Sequence, residues 1–182
     1  MKRLFDVLFS CIALAVFALP GIVTIVFLTC KERHAILFKQ QRLGRDKTPF
    51  SILKFQTMVN GIPTPTGRFL RKTGLDEVPQ FLNVLKGDMS IVGPRALTAF
   101  DVERLNWNDS HHAIRWQCRP GITGLAQLYG GQHRKTSWFW DHRYIKHNTI
   151  ITDFVLVALS FLMNIFGKTR VRRIIFQKKN LQ

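Results

Sequence analysis

The chain has 182 residues, 46% of them hydrophobic, and carries 27 Lys and Arg against 11 Asp and Glu, a formal net charge of +16. That composition excludes a disordered basic tail and suits one domain with a modest core, while the charge excess calls for a polyanionic partner such as nucleic acid, an anionic membrane or a phosphorylated substrate. Three scattered cysteines exclude a disulfide framework, offer no zinc spacing and fit a reducing, cytosol-facing setting.

Residues 7–29 contain no charge, which exceeds the ~18 apolar residues that suggest a membrane segment. The run is longer than the ~7–15-residue apolar region of a cleaved signal, and no small-x-small site follows it, so a signal peptide is not expected. Pro20 and Gly21 interrupt it near the middle, where proline removes a backbone donor and breaks or kinks a helix. Lys2 and Arg3 precede it; Lys31, Arg33, Lys39, Arg42, Arg45 and Lys47 follow. Basic residues favour the cytoplasmic side, and here both ends carry them. A helix–break–helix that dips into the bilayer and returns keeps both ends inside, and a Pro-kinked single span is the alternative. Charge and Pro20 leave the two open.

Residues 36–42 and 50–55 read as a β-hairpin around the turn-rich "LGRDKTP". Residues 60–67 form a loop rich in Pro, Gly and Thr. Gln80–Lys86 reads as a helix stopped by Gly87, with Thr73 and Asp76 as a capping pair and Pro79 in its first turn. "SIVGPR" reads as a short strand and turn, residues 98–112 as a helix and residues 119–127 as a Gly-punctuated loop. Ile150–Phe166 is apolar except for Thr152, Asp153, Ser160 and Asn164; an interfacial helix, a core helix and a span all fit it. A basic tail follows, with Lys168, Arg170, Arg172, Arg173, Lys178 and Lys179.

Asp76 and Glu77 form an adjacent acidic pair flanked by Arg68, Arg71 and Lys72. Near a helix N-terminus and these bases, a carboxylate is favoured in its ionised form, able to attack phosphorus or bind a metal. Phosphoryl transfer also needs cations around the equatorial oxygens, and Lys54, Arg71 and Arg95 are available. The plainer reading is a helix cap paired with nearby bases. His111 and His112 lack partners at metal-site spacing and read as surface polarity. Trp107, Trp116, Trp138 and Trp140 suit either a membrane interface or a packed core.

These residues carry a resemblance that covers nearly the whole chain. "KRLFD" at residues 2–6, the Pro-interrupted apolar segment, "FKQQRLG", "PFSILKFQTM", "GRFLRKTGLDEVPQFLNVLKGDMSIVGPR" and "RPGITGLAQ" resemble the bacterial sugar transferases, the small monotopic polyprenyl-phosphate phosphoglycosyl transferases. Asp141-x-x-Tyr144 and Asp153 add a looser match. The resemblance implies transfer of sugar-1-phosphate from a UDP-sugar to polyprenyl (undecaprenyl) phosphate, with release of UMP, at the first lipid-linked step of glycan assembly. It implies an Asp–Glu dyad with Mg²⁺ and a covalent phosphosugar intermediate. By position, Asp76 is the expected nucleophile and metal contact, and Glu77 its partner. Lys54, Arg71, Arg95 and Arg119 are the expected phosphate- and substrate-binding cations. The family's first segment re-enters the membrane and leaves by the cytoplasmic leaflet, with its break at Pro20.

Several positions depart from the family pattern. Leu19 stands where Ser usually precedes the proline, Gln56 where "KFQTM" usually has Arg, and Ala96 where proline usually follows "GPR". "LYGGQHRKT" replaces a common Asn-Gly-Arg. The expected architecture is mostly α with a short β-hairpin (α+β): a re-entrant membrane helix over residues 1–30 and a catalytic domain over 31–182 with an interfacial helix at about 150–166. The expected location is the cytoplasmic face of the bacterial inner membrane, with the lipid bilayer as a partner and an apolar surface that suits homo-oligomers. A membrane-anchored nucleic-acid binder and a non-catalytic scaffold are the competing readings. No nucleic acid is expected, because the bases gather around the membrane segment and the acidic pair without a recognisable nucleic-acid motif.

Overall fold

Two helices meet near the proline that interrupts the first apolar run. Helix α1 spans Lys2–Val16 and α2 spans Ala18–Phe27, followed by a π-helical turn at Leu28–Glu32. A proline ring clashes with the carbonyl four residues back, here that of Val16, so α1 ends there. Pro20 becomes the third residue of α2, where the backbone N–H has no partner within the helix in any case. The Gly21 amide donates to the Phe17 carbonyl at 2.8 Å, and the Thr24 hydroxyl to the Pro20 carbonyl at 2.8 Å. The two apolar segments are bent by 57°. Among the described residues no single helix is long and apolar enough to cross a membrane, whereas the bent pair is by length and composition. The computed structural model describes residues 1–32, 35–130, 134–167 and 171. Arg33 and the six basic residues of the tail lie outside them.

The hairpin forms as expected. Strands β1 (Leu37–Leu43) and β2 (Pro49–Phe55) pair antiparallel from Leu37 opposite Phe55 to Leu43 opposite Pro49. Phe50, Ile52 and Phe55 of β2 are buried. A two-residue pair, β3 (Met58–Val59) and β4 (Ile62–Pro63), precedes helix α3 (Pro65–Thr73). Thr64 caps α3 by accepting from the Gly67 amide at 2.9 Å, and Pro65 occupies the first helical position. Gly67 is needed for close approach: a Cβ there would lie 2.0 Å from the Thr57 carbonyl oxygen. Gly74, at φ +76°, ends α3 in a left-handed conformation.

Helix α4 is Gln80–Lys86 and stops at Gly87 as expected. The expected Thr73–Asp76 cap is not present. Thr73 lies inside α3 and its hydroxyl shares its one proton between the Phe69 and Leu70 carbonyls, while Pro79 sits just before α4 rather than within it. Strand β5 (Ser90–Val92) pairs parallel with β6 (Gly121–Thr123), so the stretch read as a loop contributes a strand. Three residues are too few to show a period of two.

Helix α5 is shorter than expected. It runs Ala99–Leu105 behind a Thr98–Asp101 capping box and stops at Asn106, which takes φ +57°. Asparagine tolerates that conformation, and Asp109 then caps a new 3₁₀ segment, Ser110–Gln117. A π-helical turn at Ala126–Gly130 leads to α6 (Arg134–His147) and α7 (Ile150–Phe166). His112 is buried and stacks on Trp107 at 5.4 Å, because its backbone lies in the capped segment rather than on an exposed helix face. Trp107 and Trp116 are core residues.

The main core joins both ends of the chain. Phe5 of α1, Phe50 and Ile52 of β2, Val84 of α4, Ile91 and Val92 of β5, and Leu156 and Met163 of α7 share one cluster. "KRLFD" docks α1 to it. Lys2 Nζ donates to Asp153 Oδ2 at 2.5 Å and to the Tyr144 hydroxyl at 2.9 Å. Arg3 donates to the Val84 and Leu85 carbonyls at 2.5 and 2.8 Å, placing its charge at the C-terminus of α4, where a cation is favoured. Asp6, 2% exposed, accepts from the Ser90 hydroxyl and the Ile91 amide at 2.9 and 3.0 Å. The result is mostly helical with three two-stranded sheets among the described residues.

Candidate active site

Asp76 and Glu77 occupy a 3₁₀ turn, Leu75–Glu77, between α3 and α4. Gly74 reverses the chain so that the last turn of α3, carrying Arg71, stands beside that of the acids. The turn packs against β2, which presents Lys54 to it. Lys54 Nζ donates to Glu77 Oε1 at 2.5 Å. The structure therefore brings four of the expected residues, Lys54, Arg71, Asp76 and Glu77, into one electrostatic group.

Neither acid caps a helix through its side chain, so that half of the plainer reading does not hold, whereas Glu77 does pair with a nearby base, Lys54. Nor is Asp76 held strongly ionised, as the cationic flanks suggested. Its carboxyl is pushed up to about 6, chiefly by burial and then by the charge of Glu77. Lys54, Arg71 and the turn's own backbone oppose this without overcoming it. A buried carboxyl raised by both desolvation and a like charge is the pattern by which functional carboxyls are recognised. Glu77 takes the lysine directly, so Lys54 reaches Asp76 only through space.

Arg71 is exposed, and its guanidinium meets the Met58 sulfur at 2.9 Å. Sulfur is a weak acceptor, so an arriving phosphate oxygen would be a stronger one. Gln56, in place of the usual arginine, donates to the Met58 carbonyl at 2.5 Å and thus shapes the same short hairpin.

The other two expected cations lie in different clefts. Arg95 is exposed and shares a cleft with Arg42, Arg104 and Trp107. Its charge is felt by Arg42, which pairs with Phe50 in the hairpin. From Phe50 to Lys54 is four residues of β2, roughly 13 Å at the usual strand rise. Arg119 lines a cavity of about 160 Å³ with Lys2, Arg3 and Arg45, and its Nε donates to the Gly87 carbonyl at 2.8 Å.

Asn83 is a positioning residue that the sequence reading passed over. It is 1% exposed; its Oδ1 accepts from the Leu53 amide at 3.0 Å and its Nδ2 donates to the Ser51 carbonyl at 2.8 Å. The side chain thus bonds the edge of β2 that β1 leaves free, locking α4 to the strand that carries Lys54. The signal was one polar residue inside the apolar run of "QFLNVLK".

Among the described residues no group of three His, Cys, Asp or Glu is placed to hold a metal. Mg²⁺ commonly takes only one or two carboxylates and completes its shell with phosphate and water oxygens. The Asp76–Glu77 pair suits that manner of binding.

The sequence profile of the bacterial sugar transferases matches residues 1–167. The chain is 39% identical over 142 residues to the uncharacterized sugar transferase EpsL of Bacillus subtilis, covering 71% of this chain and 69% of that one. It is 36% identical to the UDP-glucose:undecaprenyl-phosphate glucose-1-phosphate transferase of Klebsiella pneumoniae, over 92% of this chain but 41% of the relative. The exopolysaccharide production protein ExoY of Rhizobium meliloti is 28% identical over 86% of this chain and 81% of its own length. Several relatives are thus much longer, and the chain spans 39% of two others. The extent of the profile match, together with the similarity to EpsL, shows that the chain belongs to the bacterial sugar transferase family.

Proposed function

We propose that the protein transfers sugar-1-phosphate from a UDP-sugar to polyprenyl phosphate, releasing UMP. Relatives named as undecaprenyl-phosphate sugar phosphotransferases support this substrate pair. The observation that carries the reading is the convergence of Lys54 and Arg71 on a buried Asp76 with a raised pKa. In the proposed reaction the Asp76 carboxylate attacks the β-phosphorus and the bond to UMP breaks. An oxygen of polyprenyl phosphate then attacks the same phosphorus, and Asp76 leaves as a carboxylate. Lys54 and Arg71 offset charge on the equatorial oxygens as it redistributes. Glu77 holds Lys54 in place and exchanges protons with the incoming acceptor. Arg95 and Arg119 are proposed for more distant phosphates of nucleotide or product. Bound Mg²⁺, held by Asp76, would supply Lewis-acid neutralisation of the diphosphate.

The reading includes a membrane. Leu8, Ile12, Leu19, Ile22 and Val26 expose apolar surface along the bent pair, and Ile151, Phe154 and Phe161 do so on α7. The Phe5 and Phe154 rings meet at 4.8 Å, so α7 starts beside the first turn of α1. This arrangement supports residues 1–30 as a re-entrant anchor, α7 as an interfacial helix, and residues 31–182 as the catalytic part on the cytoplasmic face of the inner membrane. The same apolar surface would serve self-association.

The test supplies a panel of UDP-sugars and polyprenyl phosphate to the full chain and measures UMP. Release with at least one donor, lost in Asp76→Asn, is the expected result. Full UMP release by Asp76→Asn would sink the nucleophile assignment. A cysteine placed before Lys2 should react only from the cytoplasmic side, and labelling from the opposite side would show a span.

A further inference from the structure

Helix α7 reaches the acidic turn with a polar side chain near its C-terminus. A Cβ added at Gly74, two residues before Asp76, would lie 2.9 Å from Asn164 Nδ2 and 3.6 Å from its Cγ. Gly74 therefore serves twice: it takes the left-handed φ of +76° and leaves room for the Asn164 amide.

Asn164 is not a stray polar residue on the apolar face of α7. At 3.6 residues per turn, Ser160 and Asn164 point within about 20° of Asp153, whereas Phe154, Phe161 and Ile165 point about 80–120° away. Those three apolar residues are exposed. Asp153 is 2% exposed, yet Asn164 on the same stripe is exposed. The stripe thus leaves the core towards the end of α7 and opens beside Gly74. Among the described residues the Asn164 amide has no hydrogen-bond partner, so both of its N–H groups are available.

The two substrates of the proposed reaction come from different phases. A UDP-sugar arrives from water, whereas polyprenyl phosphate keeps its chain in the bilayer and its phosphate at the surface, the level at which α7 was placed above. We propose that Asn164 binds the phosphate of the polyprenyl acceptor, donating from the membrane side of the Asp76 turn. An amide suits that position, because it donates to a phosphate oxygen without adding a charge to an apolar helix at the bilayer surface. The inference rests on the transfer reaction and the membrane placement proposed above, and it gives the acceptor a contact separate from Lys54 and Arg71.

The experiment compares the full chain with Asn164→Ala and Asn164→Asp in detergent micelles. Binding of a short-chain prenyl phosphate, and of the prenyl alcohol of equal length, is measured without donor. Alanine is the better helix former, so Asn164→Ala keeps the fold. It should weaken phosphate binding by about 10-fold, and Asn164→Asp should weaken it further by adding a like charge. The alcohol should bind all three equally. The UMP burst from UDP-sugar without acceptor, and kcat/KM for the donor, should not change, while kcat/KM for polyprenyl phosphate falls. Equal phosphate binding by all three proteins overturns the proposal, as does a wild type that binds no prenyl phosphate. Equal losses for phosphate and alcohol, or a weaker UMP burst in the variants than in the wild type, overturn it too. Loss of phosphate binding in the variants, with no UMP release by the wild type from any UDP-sugar, leaves Asn164 assigned and counts against the transfer reaction alone.

Discussion

The Asp76–Glu77 turn and the Lys2–Tyr144–Asp153 network use the same residue types to opposite ends. Asp153 is 2% exposed, yet one oxygen takes Lys2 at 2.5 Å and the other takes the Tyr144 hydroxyl at 2.7 Å. The Tyr144 hydroxyl shares its one proton between Asp153 and the Val92 carbonyl, 3.0 Å away, tying α6, α7 and β5 together. Arg115 and Asp141 form a second buried pair, and Arg115 also donates to the Arg95 carbonyl. Among the described residues Asp76 has no comparable side-chain partner, because the lysine within reach is taken by Glu77. Acids whose oxygens are matched act as joints, whereas an acid left buried and short of donors retains an unspent demand for positive charge.

The largest expected effect would break this contrast at its centre. Asp76→Asn should lower UMP release by about 10³-fold or more, and it should also stabilise the fold at neutral pH. The pKa of Asp76 is raised in the folded state, so between its unfolded value near 3.8 and about 6 the folded chain holds more protons than the unfolded one. Stability from this group therefore falls as pH rises through that window. The melting temperature of Asp76→Asn should exceed that of the wild type above pH 6, and the gap should close as pH falls toward 4. An equal gap at every pH would show that Asp76 is not the strained acid.

The joints should respond in the other direction. Asp141→Ala leaves Arg115, 2% exposed at its side chain, without its carboxylate and should cost about 3–5 kcal/mol in a denaturation experiment. A loss below about 1 kcal/mol would mean that water reaches this pair and that the contrast with the dyad is overdrawn.

Glu77→Gln sharpens the comparison further. Removing the like charge should lower the pKa of Asp76 and move the acidic limb of the pH–rate profile below about 6. Turnover should fall by about 100-fold, because Glu77 both anchors Lys54 and exchanges protons. Lys54→Gln should do the reverse to the profile. With a favourable cation gone, the acidic limb moves above about 6, and turnover at neutral pH drops by about 10-fold. If both variants moved the limb the same way, the charge assignments around Asp76 would be wrong.

Much of the scaffold was legible from local chemistry. The hairpin, the stop of α4 at Gly87 and the helix at Ile150–Phe166 each rest on a signal within a few residues. The early end of α5 escaped because Asn106 and Asp109 compete with an apolar pattern that looked continuous. β6 escaped because the strand it pairs with, β5, lies some thirty residues away and each is three residues long. Asn83 was passed over because its role depends on β2 lying beside it.

By itself the sequence determined that a basic chain carries a broken apolar segment and an acidic pair among arginines, since composition and the conformational limits of proline and glycine act locally. It also marked Lys54, Arg71, Arg95 and Arg119 as cations of interest. Only the tertiary structure decided that Lys54 and Arg71 join the acids while Arg95 and Arg119 line other clefts, because that choice depends on which face of β2 meets the turn after Gly74. The charge state of Asp76 was decided there too. Sequence neighbours supply positive potential, but burial against β2 removes water, and desolvation is the larger effect.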